Sequence, residues 1–310
     1  MKLSQKKILL TGGAGFLGSY VKKKLLERGV TESNIIIPKT KDNDLRVWSN
    51  CINLVKQADI VIHMAARVGG IGYNIKYPGT LFYDNAIMGI QLMEAARICG
   101  IEKFLAVGTV CAYPKFTPVP FNEDNLWNGY PEETNAPYGI AKKIVQVQSD
   151  SYRKQYGFNS IFLLPVNLYG PGDFFHLEHS HVIPALIMKF VEAKEKNAGS
   201  MTVWGTGTPS REFLYVEDAA EGILLALEKY NSSKPVNLGT SEEISIKDLV
   251  EMIKNIIGYS GKIHWDRSKP DGQLRRKLNI SKAESEFGFR SKTKLKDGLK
   301  MTVDWYYENK

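Results

Sequence analysis

Three glycines spaced three apart, Gly12, Gly15 and Gly18, stand between an apolar run and a helical pattern near the start of the chain. Residues 7–11 form a short hydrophobic run suited to a buried strand. Residues 16–28 carry Leu17, Val21 and Leu25 on one helical face, and Gly29 is placed to end that helix. Few folds accommodate strand, glycine loop and helix in this order. A loop without side chains turns tightly and lets a phosphate approach its backbone. The helix beyond offers free N–H groups and a partial positive charge. The feature predicts a dinucleotide-binding loop, with Gly12, Gly15, Phe16, Leu17 and Gly18 at the ligand.

The alternation continues. β-Branched or apolar runs at 34–37, 59–63, 104–108 and 160–164 are separated by helical patterns, the longest at 81–97 and 138–156. Such βαβ alternation predicts an α/β chain built on a Rossmann-type, doubly wound parallel sheet. After Pro165 the pattern loosens at Pro171, Gly172 and Pro184, and helical segments recur at 182–194, 216–230, 246–257 and 295–307. The expectation is a nucleotide-binding domain over residues 1–165 and a smaller mixed α/β substrate lobe over 166–310, with some late segments returning to the first sheet.

Composition narrows the class. With 43% hydrophobic and 24% charged residues, a chain of 310 residues can build a sizeable core. No apolar run approaches the roughly 20 residues of a membrane helix, and the N-terminal apolar stretch is broken by glycines before it resembles a signal peptide. Cys51, Cys99 and Cys111 are odd in number and lack metal or redox spacing, which fits a reducing, cytoplasmic setting. The net charge is +8, but the late basic stretch is diluted by Asp266, Asp271, Glu284, Glu286 and Asp297 and carries no interleaved aromatics. That argues against nucleic acid and for a solvated surface or attraction of small polyanions. His176, His179 and His181 beside Glu178 raise the idea of a metal, yet their spacing matches no standard site, so no metal is expected.

Past the second predicted strand, NAD-specific sheets usually place an acid against the ribose 2′-hydroxyl. Here Pro38-Lys39-Thr40-Lys41 follows, with no acid before Asp42; Lys39 and Lys41 suit a 2′-phosphate, predicting NADP(H). Further on, Tyr138 and Lys142 lie four apart on a predicted helix and face the same way. A lysine ammonium beside a phenol favours the phenolate and eases proton exchange with a substrate oxygen. Thr109, at the end of the strand before that helix, is placed to hydrogen-bond a carbonyl.

The glycine loop, Thr109, Tyr138 and Lys142 together resemble the extended short-chain dehydrogenase/reductase family. Longer strings narrow the resemblance: Ala65-Ala66-Arg67-Val68-Gly69-Gly70, Cys111-Ala112-Tyr113-Pro114-Lys115, Asn167-Leu168-Tyr169-Gly170-Pro171, Ser180-His181-Val182-Ile183-Pro184, Trp204-Gly205-Thr206-Gly207, Arg211-Glu212-Phe213-Leu214 and Lys269-Pro270-Asp271-Gly272. Nearly end to end, and in the same order, they resemble the GDP-L-fucose synthase group, which epimerises C3 and C5 of a GDP-4-keto-6-deoxymannose and reduces its C4 ketone with NADPH. The resemblance implies a homodimer joined through the two long helices. It implies that Cys111 and His181 move the protons of epimerisation, that Tyr138 protonates O4, and that Ala65 adjoins the cofactor. Asn167, His181, Lys189, Trp204, Arg211 and Asp271 would meet the GDP-sugar.

Three positions depart from the pattern: threonine stands at 109 and valine at 110 where the group carries serine, and lysine at 189 where it tends to carry arginine. Threonine keeps the hydroxyl; valine removes a polar group beside Cys111; lysine meets a phosphate as a point charge, not a fork. These departures keep open a C4-reductase without epimerisation, acting on a related GDP-4-keto sugar such as a heptose. A non-catalytic NADP-binding sensor or scaffold is the reading from another class, and the retained Tyr138 and Lys142 speak against it. A 4,6-dehydratase would want Asp-Glu where Val110-Cys111 stands, and a UDP-hexose 4-epimerase the acid missing after the second strand.

Overall fold

The computed structural model describes residues 1–176, 180–269 and 271–310. Its centre is a six-stranded, wholly parallel sheet. In chain order its strands are β1 (Ile8–Thr11), β2 (Ile35–Ile36), β3 (Ile60–His63), β4 (Lys103–Val107), β5 (Ser160–Pro165) and, from far along the chain, a strand at Val236–Leu238. The spatial order is β2-β1-β3-β4-β5 and then the late strand. β1 to β5 read as near-continuous hydrophobic runs because both faces of the sheet are covered. The doubly wound α/β expectation is borne out.

On one face lie α2 (Trp48–Val55), α4 (Pro78–Ile98) and α5 (Ala136–Tyr156); on the other, α1 (Phe16–Glu27) packs against α7 (Val216–Lys229). A short α3 (Ile71–Lys76) precedes α4. The sequence pattern placed the two long helices to within a turn and missed α2.

The remaining elements form a second lobe. They are β6 (Asn167–Tyr169), α6 (Val182–Glu195), β7 (Ser200–Trp204), β8 (Ser210–Arg211), β9 (Phe213–Tyr215), β11 (Ile244–Ser245), α8 (Ile246–Ile257), β12 (Lys262–Asp266), β13 (Arg275–Arg276) and α10 (Leu295–Asn309); the late sheet strand is β10 and Ser281–Phe287 is α9. Three small sheets pair β6 with β9, β7 with β12, and β8 with both β11 and β13. This lobe has its own core, with Ile187, Phe190, Leu249, Ile253 and Leu299 at its centre.

The two cores are stitched by a buried carboxylate. Glu212 accepts hydrogen bonds from the backbone N–H groups of Thr240 (2.5 Å), Ser241 (2.8 Å) and Leu278 (2.6 Å), while its own N–H reaches the Arg276 carbonyl. Those bonds offset its desolvation only in part, and burial pushes its pKa up. The result fixes β13 beside β8, with Arg276 directly opposite Arg211.

Candidate active site

The parallel register aligns the C-terminal ends of the central strands: Thr11 opposes His63, and His63 opposes Ala106. Ligands of doubly wound sheets bind along this edge, where the strand order reverses, here between β1 and β3. The glycine loop sits there. Gly12 has φ +75°, and a side chain on it would strike the Ala65 backbone N at 2.8 Å, so the ends of β1 and β3 approach closely only through a glycine. Gly18 lets α1 rest on the loop, since a Cβ there would meet the Gly12 carbonyl. α1 begins after Gly15 with no side-chain cap and no acid in its first turn, which leaves its N–H groups free for an anion. Phe16 and Leu17 open that helix, and Ala65, whose N–H reaches the Thr11 hydroxyl, faces it across the strand ends. Lys39 and Lys41 are exposed on the loop after β2.

The predicted proton-transfer pair is carried by α5. Gly139 packs against the Cys111 carbonyl so tightly that a Cβ would lie 2.5 Å from it. This contact seats Tyr138 beside Cys111. Thr109, two residues beyond β4, accepts a hydrogen bond from the Cys111 N–H (3.2 Å) and so ties its hydroxyl to the same turn. The Lys142 ammonium lies 6.0 Å from the centroid of the Tyr138 ring. Lys142 is buried, yet its ammonium has no hydrogen-bond partner among the described residues. A desolvated cation left this way fits the polar hydroxyls of a bound nucleotide. With the glycine loop and the uncapped helix, the residues present suit a dinucleotide.

Burial acts on the pair differently from the sequence expectation. It drives the Tyr138 phenol above its ordinary range, helped by the nearby Cys111, and lowers Lys142 to about 8. The lysine does not bring the phenol down; both groups are pushed toward their neutral forms. A tyrosine that keeps its proton is the form a reduction requires.

The facing wall comes from the second lobe. His181 directly precedes α6 and makes no cap hydrogen bond. Its side chain is accessible, yet desolvation by the surrounding protein, and then the charge of Arg276, lower its pKa. One helical stretch on, Lys189 holds its Nζ 5.4 Å from the Trp204 ring, and Lys269 places a second ammonium 5.2 Å from the same exposed indole. Arg211 donates to the carbonyls of Ser210 (2.8 Å) and Asp271 (3.1 Å). Burial and the charge of Arg276 press its pKa down to about 10, which leaves it cationic at neutral pH. Asp271 grips the N–H and hydroxyl of Thr206, both at 2.8 Å, and braces the Trp204–Gly207 turn. Asn167 likewise spends its amide N–H on the Glu212 carbonyl.

Sequence reasoning missed Arg276. Its Nη1 lies 3.5 Å from Cys111 Sγ, while its charge bears on both His181 and Arg211. Nothing in the Arg275-Arg276 pair tells the exposed member from the buried one; only the pairing of β13 with β8 does so. Among the described residues no cluster of histidine, cysteine and acid side chains could hold a metal, and His176 stacks on Phe174. Glu178 and His179, the other members of the histidine-rich stretch, lie outside the described residues.

Comparison with known proteins agrees with this geometry. A family model described as the NAD dependent epimerase/dehydratase family matches residues 8–239. A probable GDP-L-fucose synthase 1 from Oryza sativa subsp. japonica is 40% identical over 307 residues, covering 98% of this chain and 92% of that protein. Among solved structures, a GDP-6-OMe-4-keto-L-xylo-heptose reductase from C. jejuni superposes with a TM-score of 0.91 at 28% identity, covering 99% of both chains. A GDP-L-fucose synthetase from Naegleria fowleri bound to NADP gives 0.87 at 29% identity, covering 99% of this chain and 94% of that one.

Proposed function

The chain belongs to the NAD dependent epimerase/dehydratase family, and on that premise we propose that it is an NADPH-dependent reductase of the C4 ketone of a GDP-4-keto-6-deoxy sugar, which also epimerises C3 and C5. Its cofactor is NADP(H), in keeping with the NADP-bound relative and with the lysines that follow β2 where an acid would mark NAD. The observation that carries the reading is the meeting, in one cleft, of Tyr138 and Cys111 from the nucleotide-binding half with Arg211 and Arg276 from the substrate lobe.

A ketone at C4 acidifies the hydrogens on C3 and C5. Cys111 and His181 form the acid–base couple: one removes a proton, the electron pair moves onto the carbonyl oxygen as an enolate, and the other returns a proton to the opposite face. When bound, NADPH supplies a hydride to C4. Tyr138, held neutral by burial, gives its proton to O4, and Thr109 orients the carbonyl. Lys142 holds the nucleotide and replenishes charge next to the phenol as the proton leaves. Gly12, Gly15, Phe16, Leu17, Gly18 and Ala65 cradle the pyrophosphate, while Lys39 and Lys41 take the 2′-phosphate. Lys189, Trp204 and Arg211 grip the GDP moiety, and Asp271 and Asn167 brace that grip through the turns they hold.

Outside the cleft, the outer faces of α4 and α5 suit a homodimer. Tyr83, Ile98, Val147 and Tyr156 are exposed there, framed by the Glu94–Arg97 pair whose guanidinium lies 4.4 Å from the Tyr156 ring centroid. No helix among the described residues is long and apolar enough to cross a membrane.

The test is turnover. Purified protein should consume NADPH with GDP-4-keto-6-deoxymannose and release a reduced GDP-sugar. Absence of NADPH consumption with that substrate and with a GDP-4-keto-heptose, from protein that still binds NADPH, would contradict the proposal.

A further inference from the structure

We propose that Asn74 is a positioning residue: through Asn135 and Glu132 it latches α3 across the mouth of the cleft, and the latch opens to pass the GDP-sugar and closes over it. The inference rests on the reading above, in which the cleft holds a GDP-linked sugar, and it names the element that controls entry. α3 is built inside out. Ile71 and Ile75 are 37% and 58% exposed, and of the described residues Ile71–Lys76, Asn74 alone is buried. A surface helix ordinarily draws its stability from an apolar face packed on the core. This one turns a polar side chain inward, so its inward anchor is a hydrogen bond.

That bond has a fixed sense. Asn74 Nδ2 donates to Asn135 Oδ1 at 3.1 Å, and Asn135 Nδ2 donates to Glu132 Oε2 at 2.5 Å. The Thr134 hydroxyl donates to the same oxygen at 2.6 Å. A carboxylate only accepts, so it draws the NH2 of Asn135 and leaves the amide oxygen for Asn74. Glu132 is itself buried, and its charge bears on Arg211 of the second lobe. Asn135 directly precedes α5, with Tyr138 three residues on, and its carbonyl accepts the Gly139 N–H. The latch is mounted on the helix that carries the proton donor.

The other flank of α3 reaches the substrate lobe. A Cβ built on Gly272 would lie 3.7 Å from Ile71 Cδ1 and 3.4 Å from Arg211 Nη2. Gly272, at φ +70°, belongs to the turn whose Asp271 carbonyl holds Arg211. α3 therefore spans from α5 to that turn, between Tyr138 and the guanidinium that grips the nucleotide. A ligand held at Arg211 is confined beneath it. Glycines flank the helix, Gly69-Gly70 before it and Gly79 after it, and a side chain at Gly79 would meet nothing within 4 Å, so the segment has room to swing. Opening breaks the amide–amide bond, an interaction weak enough to be broken and remade in each turnover.

Dissociation of N-methylanthraniloyl-GDP from the NADP+-loaded protein, followed by stopped-flow fluorescence, tests the latch. Departure requires α3 to open, so Asn74→Ala should speed dissociation about fivefold. Asn135→Ala should speed it at least as much, and the double variant should be no faster than Asn135→Ala alone, because the same bond is lost in each. A merely structural loss would not make the two changes coincide. An off-rate unchanged in Asn74→Ala, or effects that multiply in the double variant, overturns the proposal. If a variant does not fold, hydrogen exchange of the wild type decides: GDP at about ten times its Kd should slow exchange over residues 71–77 about tenfold, and unaltered exchange there overturns it. Failure to bind the GDP probe at all would remove the proposed substrate class and the latch with it, whereas binding with an unchanged off-rate removes the latch alone.

Discussion

Tyr138 and Lys142 sit one turn apart on α5, and burial moves their pKa values in opposite directions, the phenol up and the ammonium down to about 8. Each shift has a consequence for rate. Tyr138→Phe removes the proton given to O4, so kcat should fall about 10²–10⁴-fold. NADPH affinity, measured by fluorescence titration, should stay within about twofold; a larger loss would make Tyr138 a binding residue. Lys142 carries its charge below about pH 8 and loses it as pH rises through that value. The kcat/KM for NADPH should accordingly decline above about pH 8. A flat profile to pH 10 would mean that the charge is not used. Tyr138 and Lys142 were legible in the sequence because both lie on one helix with fixed spacing. Arg276 was not, because its contact with Cys111 spans 165 residues and depends on a strand of two residues whose partner is remote.

At the scale of elements the same division holds. Long helices announce themselves through periodicity, and α4 and α5 were readable to within a turn. Strands of two or three residues, such as β8, β11 and β13, are defined by their partners and leave no periodic trace. α2 was missed although Trp48, Cys51, Ile52 and Val55 form a regular apolar stripe, because its eight residues span only about two turns, too short a window for periodicity to stand out. One joint between elements has a measurable signature. His63 ends β3, is wholly buried, and shares a 2.9 Å hydrogen bond with Thr11 of β1, while its Nε2 has no partner. Burial and then the Lys142 charge press its pKa down to about 3. The folded chain holds this proton less well than the unfolded one, so the imidazole's contribution is intact above the unfolded value near 6.5 and is lost as pH falls toward 3. From a folded value of about 3, stability should drop by about 2 kcal/mol between pH 7 and pH 5 through this group. Urea unfolding at both pH values, compared with His63→Gln, checks it; an equal drop in the variant would assign the loss elsewhere.

At the scale of the molecule, the arrangement is two cores meeting along the C-terminal edge of one sheet, with the sheet closed by a strand returned from the second half. That closure ties the substrate wall to the nucleotide wall, and Glu212 locks it by gathering the N–H groups of Thr240 and Ser241, just after β10, and of Leu278, just after β13. The outer α4–α5 surface carries a prediction of its own. The 34.9 kDa chain should sediment at roughly twice that mass, and Val147→Glu, which sets a charge in the exposed apolar face, should yield monomer. A wild-type monomer would remove that interface. The central claim is that one cleft performs both proton exchange and reduction. Its most direct test is a single incubation in heavy water with NADPH and GDP-4-keto-6-deoxymannose, the product read by NMR. The account predicts a C4-reduced sugar carrying solvent deuterium at both C3 and C5, and loss of that deuterium in Cys111→Ala. A reduced product with no solvent deuterium would contradict it, leaving a C4-reductase that receives its sugar already epimerised.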